Sequence, residues 1–209
     1  MNFHTLKQKL QTGLKPPLPG SQAQLIMAPS GRPMPDVKDI NLQRVKKAAV
    51  LALFYEQSNS AQLVLTLRKK YQGVHSNQIS FPGGKRDNTD PDFRFTALRE
   101  AEEEIGISPS SVDIYGELSP LYIPPSNFLV HPFVGIYNDE PSFVKQETEV
   151  EHIFSIDVIE LLDDAYITTA PLLINKTEVN VPAFSFKGYT VWGATAMMLS
   201  ELRQVLLSK

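Results

Sequence analysis

Alternation of apolar and polar positions first becomes regular at residue 47. The runs AAVLALFYE and AQLVLTLR are apolar, strand-length and separated by the turn-like QSNS, so they predict two paired strands. A polar loop, KKYQGVHSNQIS, follows. In residues 81–107, FPGGKRDNTDPDFRFTALREAEEEIGI, a glycine-punctuated loop leads into a pattern of helical period. At 100° per residue Ala97, Leu98, Ala101 and Ile105 share one side, and Gly106 is a natural stop. Beyond the turn SPSSVD, the segments VDIYGELSPLYI and FLVHPFVGIY predict strands split by PPSN. A charged loop, QETEVE, precedes IFSIDVIELLDD, which is expected to lead into a helix. ITTAPLLI and VPAFSF predict further strands, and GATAMMLSELRQVLLS a closing helix of about 15 residues. Strands and helices alternate without a regular strand–helix–strand rhythm. The expectation is an α/β (α+β) fold with a mixed sheet between helices.

Before residue 46 the pattern is weaker. Residues 3–14 predict a short amphipathic helix ended by Pro16, Pro17, Pro19 and Gly20, and a brief helical piece follows around residues 21–27. The expected organisation is a strap, 1–45, lying over a domain of residues 46–209 or joining a homodimer contact.

Composition narrows the chemistry. The chain has 209 residues, 42% of them apolar and 21% charged, which suits one soluble globular domain. A net charge of −3 gives no basis for bulk nucleic-acid binding. With no cysteine, disulfides, thiolate metal sites and cysteine nucleophiles are excluded, as fits a cytoplasmic protein. No apolar run approaches 18 residues, so no signal peptide and no membrane association are expected.

The acidic side of the central helix is the strongest chemical signal. Glu100, Glu103 and Glu104 share one face, where like charges repel. A hard divalent cation with oxygen ligands is the natural counter-charge. Residues 84–107 also resemble the Nudix box, Gx5Ex7REUxEExGU, with Arg99, Glu100, Glu103, Glu104, Gly106 and Ile107 in place. Asp90 stands for the first glutamate, and eight residues rather than seven separate it from Arg99. The coenzyme A pyrophosphatase branch of that superfamily is similar in GGKRDxxD before TALREAxEEIG, in an upstream signature resembling LLTxR(S/A)x3Rx3Gx3FPGG, and around residues 191–196. This chain departs from the upstream signature at Lys69, Gly73 and Asn77. If the missing arginine holds phosphate, Lys69 or Lys70 must replace it, or the specificity has moved.

The resemblance implies a Nudix-like α/β/α sandwich and a Mg²⁺- or Mn²⁺-dependent hydrolase of small nucleotide substrates, cleaving coenzyme A or acyl-coenzyme A at its diphosphate. Other readings are a pyrophosphatase for ADP-ribose, NADH or a nucleotide sugar, and a catalytically silent ligand-binding module. In the leading reading Glu100, Glu103 and Glu104 are metal ligands and Arg99 orients them. Gly83 and Gly84 let the backbone approach closely, and Arg68, Lys85 and Arg86 hold substrate. The distal base comes from Glu147, Glu149 or Glu151, with Glu149 preferred. His75 is read as polar filler rather than a substrate contact beside Gln78, His131 and His152 as satisfied core histidines, and Trp192 as core rather than an adenine-stacking ring.

Overall fold

The computed structural model describes residues 1–30, 40–41, 43–70, 77–174 and 177–208. Two long strands organise it. β1 (Lys46–Gln57) and β2 (Ser60–Arg68) pair antiparallel, with Phe54 opposite Leu63. Ser58 and Asn59 between them both have positive φ, 50° and 62°, the type I′ geometry that suits the twist of a hairpin. β3 (Ile79–Ser80) and β4 (Gly83–Lys85) are brief and pair with β2 and β1. After α3 (Phe93–Ile105) come β5 (Val112–Glu117), β6 (Leu121–Ile123) and β7 (Phe128–Tyr137). The segment VDIYGELSPLYI therefore forms two strands, broken at Leu118–Ser119–Pro120. β7 runs parallel to β1 over nine registered pairs and antiparallel to β5 and β6, so the sheet is mixed, as expected.

The stretch expected to lead into a helix does so, after opening as a strand. β8 (Val150–Asp157) pairs antiparallel with β2, and only α4 (Val158–Leu162) follows as helix. Val150, Phe154, Ile156 and Val158 are buried at even spacing, the period of a strand and not of a helix. β9 (Ile167–Ile174), β10 (Thr177–Phe186) and β11 (Tyr189–Trp192) form a separate three-stranded antiparallel sheet rather than extending the first. α5 (Gly193–Leu207) closes the chain with 15 residues.

Period two in β1 sorts the two cores. Ala49, Leu51, Leu53 and Tyr55 pack with Ala97, Ala101 and Ile105 of α3. Ala48, Ala52 and Phe54 face the other way, toward Met198, Leu202 and Val205 of α5. A fully buried leucine contributes roughly 1.5–3 kcal/mol, which is why both faces of the central strand are apolar. The result is a sheet between helices. α1 (Phe3–Gly13) starts at Asn2, whose side chain accepts from Thr5 N, and buries Phe3, Leu6 and Leu10 in the α5-side core. α2 (Gly20–Leu25) is held by Glu201, a fully buried carboxylate that accepts from Gly20 N, Ser119 N and Gln24 Nε2 at 2.8–3.1 Å. No described helix is long and apolar enough to cross a membrane.

Candidate active site

α3 begins four residues before the amphipathic pattern becomes visible. Asp92 caps it, accepting from Phe95 N at 2.7 Å, and the chain leaves at Gly106 in the left-handed region, φ 73°. With Ala97, Ala101 and Ile105 against the sheet, Glu104 is drawn to the edge of that buried face and is only 3% exposed. Its Oε2 accepts from Gly83 N at 3.1 Å and its Oε1 meets Arg68 Nη1 at 3.3 Å. One turn back, Glu100 lies against β4. A Cβ on Gly84 would stand 2.2 Å from Glu100 Oε2, so glycine is what lets the strand pass this carboxylate.

Arg99 lies at the centre of the acidic residues. It donates to Asp90 from Nε and Nη2 at 3.1 and 3.0 Å, meets Glu100 at 2.9 Å and Glu103 at 3.1 Å, and reaches Lys85 O. The three glutamates are not equivalent. Glu103 is 55% exposed and held on the outer side by Arg99, apart from Glu100 and Glu104.

Glu149 joins the inner pair through backbone contacts. Val144 N donates to Ile105 O and Gln146 N to Glu104 O, both at 3.0 Å, so the charged loop docks on the end of α3. Lys69 N donates to Glu149 O at 2.8 Å, fixing the loop to the end of β2. All three loop glutamates are exposed; Glu147 pairs with Lys145 at 3.2 Å and Glu151 lies on β8, whereas the charge of Glu149 is felt by both Glu100 and Glu104.

Burial pushes the Glu104 carboxyl up to about 7, against the opposing pull of Arg68 and Gly83, with Glu100 and Glu149 adding to the rise. Burial also raises Glu100, opposed by Arg99 and reinforced by Glu103 and Glu149. Asp90 behaves oppositely. Hydrogen bonds from Arg99 hold its carboxyl down near 2 despite burial, with Asp87 N and Thr96 Oγ1 adding donors.

Beside these groups opens a cavity of about 290 Å³. Val50, Phe81, Ile123, Phe128, Val130 and Met198 give it apolar walls, and Arg68, Gly83, Gly84 and Lys85 also line it. Among the described residues, the buried Nε of Arg68 has no hydrogen-bond partner. Arg86, expected to hold substrate, turns elsewhere: it donates to Asp90 O and Pro91 O and lies 4.9 Å from the Phe93 ring centre. It secures the loop before α3.

His131 is satisfied, as read. Its Nδ1 lies 2.6 Å from Glu117 Oε1 and its ring stacks on Phe93 at 3.8 Å. His152 is exposed, contrary to the core reading, because it sits where the β2–β8 ladder shifts register beside Arg68. Trp192 is half-buried and does not line the cavity. His75 and Gly73 lie outside the described residues. Asn77 has φ 56°, a left-handed conformation that asparagine and glycine share, so the glycine-to-asparagine departure keeps that backbone form open.

The model of the NUDIX domain matches residues 45–174. Nudix hydrolase 15, mitochondrial, of Arabidopsis thaliana is 33% identical over 175 residues, which cover 80% of this chain but only 61% of the plant protein. The Nudix hydrolase NudL of Yersinia enterocolitica is 36% identical over 142 residues, 68% of this chain and 72% of that one. Among solved structures, the Nudix hydrolase RenU of M. smegmatis shares the fold with a TM-score of 0.53 at 14% identity, over 77% of this chain and 84% of its own. Domain match, relatives and fold agree, and the chain belongs to the Nudix hydrolase family.

Proposed function

We propose that the chain hydrolyses the diphosphate linkage of coenzyme A or an acyl-coenzyme A, yielding 3′,5′-ADP and (acyl-)4′-phosphopantetheine. The observation that carries this reading is the meeting of two separated motif pieces at one cavity. Arg68 ends LTLR, Phe81, Gly83 and Gly84 belong to FPGG, and all four line the same space beside Glu104.

The donors fit Mg²⁺ or Mn²⁺. Among the described residues no three carboxylate or imidazole groups are close enough to cage a cation unaided. Mg²⁺ does not need such a cage, since one or two carboxylates, waters and substrate phosphates suffice. Glu100 and Glu104 would hold it, and Glu103 would contribute through Arg99. When bound, the cation neutralises diphosphate charge and lowers the pKa of water. Arg68 would direct its unpartnered Nε toward a phosphate oxygen. Arg99 keeps Glu100 oriented. Glu149 would take the proton from the attacking water as the new P–O bond forms, and the anhydride P–O bond breaks to leave two phosphate monoesters.

A second reading, hydrolysis of ADP-ribose, NADH or a nucleotide sugar, draws on Lys69. It fills a position that the coenzyme A signature gives to a small residue, and it is half-buried beside Glu149. Supplying coenzyme A, ADP-ribose, NADH and 8-oxo-dGTP separately with Mg²⁺, and identifying products by mass, decides between them. Turnover of coenzyme A is expected to exceed the rest, and preference for any of the other three overturns the branch assignment.

Metal linkage offers a test without turnover. The Glu104 carboxyl lies near 7 in the folded chain against 4.5 ordinarily, so its contribution to stability is full below about 4.5 and is lost as pH rises through 7. A cation bound to the ionised form offsets that loss. Saturating Mg²⁺ is expected to raise Tm by about 5–10 °C at pH 8 and much less at pH 5, followed by calorimetry. No rise at pH 8 counts against Glu104 as a ligand.

A further inference from the structure

We propose that Lys46 and Lys85 form a site for a phosphate monoester carried on the substrate's organic half, distinct from the diphosphate that is cleaved. The proposal rests on the reading of the carboxylate cluster as a diphosphate-hydrolysing centre. The strand register carries it. Lys85 of β4 lies opposite Ala48 of β1, and Lys46 is two residues away on the same face, a diagonal neighbour at roughly 7–8 Å. Ala48 and Lys85 both line the cavity. Lys46 pairs with Phe128 of β7, another cavity wall, and its Nζ lies 5.4 Å from that ring centre. Both ammonium groups thus stand at one end of the cavity.

Among the described residues neither lysine has a carboxylate partner, whereas Arg68 and Arg99 are both tied to glutamates. In a chain of net charge −3, two uncommitted cations beside an apolar cavity are a local reversal of sign. Lys47 points to the opposite face by strand alternation and does not add to the pair. Strand alternation separates this site from the metal centre. Gly84, opposite Ala49, lies against Glu100, and Arg99 reaches Lys85 O. The Lys85 side chain leaves β4 on the opposite face, that of Ala48, away from α3 and its carboxylates. A phosphate monoester carries −1.5 to −2 charge near neutrality, which two ammonium groups match.

Matched substrate pairs test the idea: coenzyme A against its 3′-dephospho form, and NADPH against NADH. Wild type is expected to favour the phosphorylated member roughly tenfold in kcat/KM, chiefly through KM. Lys46→Glu and Lys85→Gln are expected to bring that ratio close to one, and both side chains are exposed, so folding is not at stake. Calorimetric binding of 3′,5′-ADP against AMP in Mg²⁺ reads the same preference without turnover. Equal binding of the two nucleotides, or a ratio that both variants leave intact, overturns the inference. If coenzyme A is not cleaved but NADPH is preferred over NADH with the same lysine dependence, the coenzyme A reading fails and the lysine site stands.

Discussion

Glu104→Gln is expected to lower kcat by about 10²–10³-fold while the protein stays folded. The substitution keeps the shape of a side chain that is 3% exposed, and the amide oxygen can still accept from Gly83 N or Arg68. What disappears is the negative charge beside the diphosphate. A neutral amide also removes the burial penalty that lifts the Glu104 carboxyl to about 7, so metal-free stability at pH 8 should not fall. Stabilisation by Mg²⁺ should vanish together with turnover. Glu103→Gln is the internal control: its carboxylate is 55% exposed and acts on the centre through Arg99 and as a solvent-screened charge near Glu100, so the loss should stay within about tenfold. Steady-state kinetics and thermal melts on both variants check this. Unchanged turnover in Glu104→Gln removes the carboxylate mechanism.

Much of this arrangement is written in local patterns. α5 and the inner face of α3 follow from apolar spacing of three and four, and the β1–β2 hairpin from two apolar runs around a two-residue turn. Other parts depend on partners distant in sequence. β3 and β4 have two and three residues, too few to show a period, and exist because β2 and β1 lie beside them. The first turn of α3 was hidden because Phe95 is exposed and breaks the amphipathic pattern, while the cap at Asp92 needed no apolar signal. Spacing placed Glu100, Glu103 and Glu104 on one side, but not the inward tilt that buries Glu104 and leaves Glu103 in solvent. Burial depends on how α3 meets β4, and Gly84 sets that contact. The loop that carries Glu149 is placed by main-chain bonds from Gln146 N to Glu104 O, from Val144 N to Ile105 O and from Lys69 N to Glu149 O, which no side-chain pattern records. Arg86 resembled a phosphate ligand by composition, yet the Asp90 and Pro91 carbonyls and the Phe93 ring lay nearer.

Asp90→Ala is the second large effect expected, and it separates the box's architecture from its chemistry. The hydrogen-bond partners of the Asp90 carboxylate are Asp87, Thr96 and Arg99, none of them a proposed metal ligand. Asp90 accepts two hydrogen bonds from Arg99, one from Thr96 Oγ1 and one from Asp87 N, and is 3% exposed. Removing it leaves those donors short of a partner inside the fold, a loss of about 3–5 kcal/mol, or roughly 10 °C in Tm. Activity should fall as well, because Arg99 loses the anchor that aims it at Glu100. The pH dependence identifies the cause. The Asp90 carboxyl lies near 2 in the folded chain and 3.8 ordinarily, so its stabilisation is present above about 3.8 and drains away as pH falls through 2. The stability gap between wild type and Asp90→Ala should therefore be full at pH 7 and narrow toward pH 2 in denaturant titrations. A gap independent of pH would mean that Asp90 acts by packing alone. Asp90→Glu completes the argument. The box pattern has glutamate here with seven residues before the arginine, whereas this chain has the shorter aspartate with eight. If the extra residue and the shorter side chain compensate, the longer acid is too large for its pocket, and about 1–3 kcal/mol is lost even though every charge is retained. Wild-type stability in Asp90→Glu would show that the loop length is not matched to the side chain.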